Sequence, residues 1–201
     1  MTTDTPIQKV VEFTTPTACL LCSAEPKLIC EGCYGRALHP LPPGEVNAVT
    51  GYDDIGKELI SRFKFDGDQE AGRLCARYMA ELVSADDYDV VVAVTTTPAR
   101  RRQRGYDQAE LLAQWIAKDV KLPYVRALVR VKNVHQIGMD RETRIAQSEG
   151  LYVAVNTKGI TNKRVLLIDD VVTTGATMRS ATQTLLGAGA RLVDGMAFAQ
   201  D

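Results

Sequence analysis

The sequence has no long apolar run. Nothing in it approaches the roughly 20 consecutive apolar residues that a helix needs to cross a bilayer, so no membrane insertion is expected. It also lacks the marks of a secretory signal. The leading residues MTTDTPIQKVVEF hold no basic region followed by an apolar stretch, which makes the cytoplasm the expected compartment. Net charge is nearly absent, −1 over 201 residues. That excludes a surface given over to non-specific DNA binding, which needs many Lys and Arg facing phosphates, while leaving room for a local basic patch. Internal repeats and low-complexity tracts are absent. Cysteine is scarce and uneven. Of five, Cys19, Cys22, Cys30 and Cys33 sit together and Cys75 stands alone. Structural disulfides are rare in a reducing compartment, so the cluster points to a metal.

What is present is globular in composition, 45% hydrophobic and 24% charged, enough for one ordinary domain and a small appendage. Residues 15–44 are rich in Pro, Gly and Cys and too poor in apolar residues to build a core, so they are expected to be a stapled knuckle with the linker HPLPPG leaving it. Residues 45–201 read as an α/β domain. Apolar positions at helical spacing predict helices over 53–65, 69–84 and 108–118. The run Asp89–Val94 and the run Lys163–Asp169 are short, continuous and rich in β-branched residues, as strands buried on both faces are. Weaker strands are expected at 124–131, 151–155 and 192–199, and a helix at 177–187. This alternation predicts a mostly parallel sheet flanked by helices.

The segment VLLIDDVVTTGATM, residues 165–178, carries the chemistry. An apolar strand ends at Asp169 and Asp170, followed by Val171, Val172, Thr173, Thr174, Gly175, Ala176 and Thr177. In open α/β sheets ligands bind beyond the carboxyl ends of strands. Carboxylates there can accept hydrogen bonds from vicinal hydroxyls such as those of a ribose. Small residues then turn the chain tightly into a helix, whose first N–H groups and dipole favour a phosphate. Acids for the sugar and a Thr/Gly loop for its phosphate lie side by side, a pattern suited to a sugar 5-phosphate. The run lacks the Gly-Lys-Ser/Thr ending of a Walker A loop and the G-x-G-x-x-G of a dinucleotide fold.

Two further groups stand out. Arg-Arg-Arg-Gln-Arg, residues 100–104, follows a strand directly, a density suited to a polyanion that Arg binds through paired hydrogen bonds. A second basic stretch runs from Arg130 and Lys132 to Arg141 and Arg144. The four cysteines form two Cys-x2-Cys pairs seven residues apart. Zn²⁺ is the default ion for such a thiolate set, and full coordination would make the site structural. An iron–sulfur cluster and a disulfide pair are the alternatives.

The 165–178 segment resembles the phosphoribosyl pyrophosphate (PRPP) motif of the type I phosphoribosyltransferases. The cysteine knuckle, the run Arg104-Gly105-Tyr106-Asp107-Gln108-Ala109-Glu110, and Gln136 with Arg141 and Arg144 narrow the resemblance to the ComF/GntX-like (competence protein F) group. The resemblance implies a type I phosphoribosyltransferase-like α/β fold with a small N-terminal four-cysteine zinc knuckle. By motif match, Asp169 and Asp170 hold the ribose hydroxyls and are the catalytic acids, and the loop with Val171–Thr177 holds the 5-phosphate. Arg101, Arg104, Gly105 and Arg141 become pyrophosphate-binding residues, and the second basic stretch a closing hood. Asp107 stands where the group more often has Asn, and Thr95-Thr96-Thr97-Pro98 where Pro-x-Pro is usual. The implied function is transfer of ribose 5-phosphate from Mg²⁺–PRPP to a nitrogen acceptor such as a nucleobase. The alternative is a PRPP-binding accessory protein of natural transformation, with single-stranded DNA or competence-machinery proteins as partners. Sugar metabolism is suggested by the GntX name alone.

Overall fold

The computed structural model describes residues 18–42, 44, 46–131 and 151–201. The chain divides into two compact units, 1–37 and 38–201. In the first, two turns and a short helix, α1 (Glu31–Ala37), carry the cysteine knuckle. No described helix is long and apolar enough to cross a membrane.

The second unit is built on four parallel strands: β1 (Val46–Gly51), β2 (Val90–Ala93), β5 (Arg164–Val172) and β6 (Leu192–Gln200), in the order β1-β6-β5-β2. β5 lies inside, with Val165 paired to Val90 on one side and to Val193 on the other. Parallel strands need crossovers, which the helices α2 (Asp54–Ser61), α3 (Gln69–Ala80), α4 (Pro98–Arg104), α5 (Gln108–Asp119) and α6 (Ala176–Gly187) supply. Side chains alternate along a strand. Val165 and Leu167 therefore join Val92, Met178, Ala181 and Leu185 in a buried cluster under α6. Leu166 and Ile168, equally buried, face the other side, where α5 packs. A separate antiparallel pair, β3 (Leu128–Arg130) and β4 (Tyr152–Ala154), adjoins the α6 side and adds Leu128 and Tyr152 to that cluster.

The differences from expectation have local causes. The helix expected over 53–65 divides into α2 and a π-helical turn, Arg62–Asp66, which ends at Gly67 in the left-handed region (φ 71°). Under that turn Phe63 is fully buried against Tyr106 and Trp115, with ring centroids 5.5 and 5.9 Å away. A Cβ on Gly72 would sit 2.5 Å from the Phe63 ring, so α3 comes this close only because position 72 has no side chain. β5 runs on through Val172, because β6 continues to pair with it as far as Gln200. Of the strand expected over 124–131 only β3 is regular. Upstream of it, Tyr124 bridges Val91, where Pro123 O accepts from Val91 N–H and Val125 N–H donates back to Val91 O.

At the start of β2 and β5, Asp89 clamps Arg164. Its Oδ2 accepts from Arg164 N at 2.8 Å and its Oδ1 from Nη2 at 3.0 Å. The Arg164 side chain and backbone hydrogen bonds hold the Asp89 carboxyl down at about 2, below its usual 3.8. A carboxyl depressed in the folded state contributes stability above its unfolded value and loses it as pH falls toward the folded value. Asp89→Asn should therefore lower the melting temperature at pH 5–7 (approximate bounds), and the gap from wild type should close as pH drops from about 3.8 to about 2. Thermal unfolding followed across pH checks this.

Candidate functional site

At the carboxyl end of the sheet lies a cavity of about 280 Å³, lined by residues from six segments of the second unit. β5 brings Asp169, Asp170 and Val171 to it, the following loop Thr173, and the first turn of α6 Thr177. As strand neighbours, the two acids leave β5 on opposite faces. Asp169 has the parity of Val165 and Leu167. Asp170 has the parity of Leu166 and Ile168, and meets the π-helical turn.

There Lys64 Nζ lies 2.9 Å from Asp170 Oδ1, with the two side chains only 17% and 13% exposed. The π turn is what aims Lys64 inward while burying Phe63, and π turns recur at functional sites for this kind of re-aiming. Among the described residues Asp169 has no such cation. Burial, and then the Asp170 charge, push its carboxyl well above the usual range, opposed in part by the Asp170 N–H that donates to its Oδ1 at 2.8 Å. A carboxyl raised this way can donate to a hydroxyl as well as accept from one.

The loop beyond turns at Gly175 (φ 73°), the residue before α6. A Cβ there would be strained by the backbone and would lie 2.7 Å from Arg179 Nη1. Ala176 N–H already reaches Thr174 Oγ1 at 3.4 Å. Val172 is buried in the core under α6, and Val172, Thr174, Gly175 and Ala176 do not line the cavity.

The lining also carries cations. Arg100 and Arg104 from α4 and Arg130 from β3 supply them. Arg101 does not; its Nη1 lies 3.3 Å from Glu110 Oε2. Gly105 ends α4 in the left-handed region (φ 83°) and also stands off the cavity. Arg141, with Lys132, Gln136, Arg144 and the hood expected around them, lies outside the described residues.

The two departures from the resembled pattern have structural duties. Buried Asp107 takes Thr96 N–H on Oδ2 at 2.7 Å and caps α5 by taking Glu110 N–H on Oδ1. Burial raises its carboxyl, and those two N–H groups oppose the rise. Thr95 Oγ1 donates to Leu128 O, Thr95 O accepts from the Tyr152 hydroxyl, and Thr97 caps α4. This threonine run is anchored to the hairpin and to both helices around it. Sequence reasoning missed Lys64, whose signal was a lone Lys between two Phe at a helix end, and Gln108, which it quoted only as part of a motif.

In the other unit, the sulfurs of Cys19, Cys22, Cys30 and Cys33 all lie within 4.8 Å of one another. A tetrahedral ion with metal–sulfur bonds of about 2.3 Å holds its sulfurs about 3.8 Å apart, so the cluster could hold a metal with small adjustments. Cys30 N–H donates to Cys19 Sγ at 3.4 Å, and that bond foremost brings the Cys19 thiol down to about 6. At Cys22 the Ala24 N–H favours the thiolate, but the sulfurs of Cys30, Cys19 and Cys33 outweigh it and push the thiol up to about 11. Four thiolates this close repel one another, and a cation relieves that conflict.

Set against known proteins, the chain matches a phosphoribosyl transferase domain over residues 67–199. It is 32% identical over 145 residues to Competence protein ComFC of Bacillus subtilis, covering 71% of this chain and 58% of that one. It is 29% identical over 178 residues to Competence protein F of Haemophilus influenzae, covering 83% and 77%. The chain thus spans less than two thirds of the Bacillus relative. Among solved structures, an adenine phosphoribosyl transferase from Trypanosoma brucei, in complex with AMP, pyrophosphate and ribose-5-phosphate, is 13% identical. It covers 82% of this chain and 86% of that one at a TM-score of 0.52, a likeness of fold alone. The parallel sheet flanked by helices is the fold class that the resemblance implied.

The Lys64–Asp170 pair gives a direct test. Lys64→Met should lower stability by about 2–3 kcal/mol, less than for a sealed ion pair because this one borders the cavity. Adding Asp170→Asn should restore most of the loss. Urea unfolding of the two single variants and the double variant measures the coupling.

Proposed function

The chain belongs to the phosphoribosyl transferase domain family, and on that premise we propose that the cavity binds PRPP and moves its ribose 5-phosphate to a nitrogen acceptor. The observation that supports this most is the sharing of one cavity by two carboxylates, a threonine-lined turn and two α4 arginines. The 5-phosphate enters the turn at Thr173 and Thr177, beside the first N–H groups of the 12-residue helix α6. The ribose hydroxyls reach Asp169 and Asp170. The diphosphate then lies toward Arg100 and Arg104, joined by Arg141 as the resemblance implies, while Arg101 and Gly105 stand off the cavity.

In the reaction the C1–O bond to the diphosphate breaks and its electron pair leaves with pyrophosphate. The acceptor nitrogen supplies the pair for the new C1–N bond and loses its proton. Such a step needs little covalent help. Positioning the sugar and stabilising charge on the leaving group are the enzyme's contribution. Mg²⁺ fits as a companion of the diphosphate oxygens and water, since hard cations prefer oxygen ligands, and it adds to the neutralisation of pyrophosphate. The competence names of the curated relatives support a place in DNA uptake, with competence-machinery proteins or single-stranded DNA as partners. The cysteine cluster holds a structural Zn²⁺, and the protein works in the cytoplasm.

Titration with Mg²⁺–PRPP should show binding that falls at least tenfold in Asp169→Asn/Asp170→Asn, about the worth of one lost hydrogen bond to a charged group. Equal affinities would reject the site. Pyrophosphate release with a panel of nucleobases then separates transfer from binding alone. For the knuckle, elemental analysis should find about one zinc per chain. Cys22→Ser/Cys30→Ser should lose it.

A further inference from the structure

Gln108 opens α5 and is 2% exposed, yet it lines the cavity. Its two amide atoms are unequally served. Arg104 Nη1 donates to Oε1 at 2.9 Å, which fixes the amide flip because only the oxygen can accept. Among the described residues, the Nε2 that this leaves is buried without a hydrogen-bond partner. Burial raises the Tyr106 hydroxyl, and Gln108 close by lowers it in part. But that hydroxyl donates to Phe63 O and makes no hydrogen bond with Nε2.

A buried donor left unpaired is costly, so each one calls for an explanation, a ligand that it serves being one. The surroundings say what it would meet. Arg104 is bonded to the same amide, and Arg100 lines the same cavity. The first N–H groups of any helix lack intrahelical acceptors, and the Asp107 cap takes only that of Glu110. The N-terminus of α5 therefore brings N–H donors to the cavity beside an Asp107 carboxyl already occupied by Thr96 N–H and Glu110 N–H, and such donors suit an anionic oxygen.

We propose that Gln108 reads the diphosphate: its carboxamide Nε2 donates to a pyrophosphate oxygen of the ligand, with Arg104 holding the amide in the donating orientation. This rests on the PRPP reading and adds to it a neutral donor that senses where the diphosphate oxygen lies. The same chemistry would serve free pyrophosphate as product.

The test uses the full chain with Gln108→Leu, which removes the donor, and Gln108→Glu, which keeps an oxygen for Arg104 and replaces the donor with an acceptor. Each is titrated with inorganic pyrophosphate plus Mg²⁺, with PRPP plus Mg²⁺, and with ribose 5-phosphate. We expect Gln108→Leu to weaken pyrophosphate and PRPP binding about tenfold and Gln108→Glu to weaken both further. Ribose 5-phosphate affinity should stay within about threefold, since it lacks the diphosphate. The ligand-free melting temperature of Gln108→Leu should be unchanged or higher, because an unpaired buried donor has gone. A purely structural glutamine would give the reverse: a lower melting temperature and equal changes for all three ligands. Wild-type-like pyrophosphate affinity in both variants would overturn the role of Gln108 while leaving PRPP binding intact. Failure of the wild type to bind any of the three would overturn both.

Discussion

Two adjacent residues on a strand cannot face the same way, and the arrangement of the cavity follows from that constraint. Asp169 and Asp170 leave β5 on opposite faces of the sheet and meet different neighbours. Asp170 meets Lys64, 2.9 Å away on the π turn. Asp169 is half-buried, has no cation as close among the described residues, and its carboxyl is raised. One sequence pair thus yields two chemically distinct carboxyl groups: one held by a cation, the other disposed to keep its proton. For that to hold, β5 must stay paired with β6 through and beyond the acids, as its register shows.

The rest of the second unit supports this edge. α5 and α6 cover the two faces of β5, so the same strand that delivers the acids also anchors both packed layers. The loop after β2 is held by hydrogen bonds from Thr95 to the hairpin and from Thr96 to the α5 cap. The basic lining is therefore mounted on elements whose positions the core already determines.

Much of this was legible in the sequence. The β2 and β5 runs are continuous and apolar, and no amphipathic alternative competes with them. The small residues after Asp170 require a turn into a helix. Other features depend on partners distant in sequence and were not legible. Nothing local says that Arg101 pairs with Glu110 rather than lining the cavity, because the choice is made by the angle between α4 and α5. Lys64 reaches the site only because a π turn adds a residue to its loop, and periodicity arguments assume that no such insertion occurs. The hydrogen bonds of Asp107 and Thr95 likewise appear only once the hairpin is in place.

Cys75 adds a practical consequence. It is fully buried in α3, and burial, with Asp170 nearby, holds its thiol well above the usual range. An alkylating dye attacks thiolates that it can reach, so in the native chain this sulfur stays dark. A fluorescent label would attach to the knuckle alone and report whether its sulfurs are occupied, while the α/β unit keeps its natural side chains.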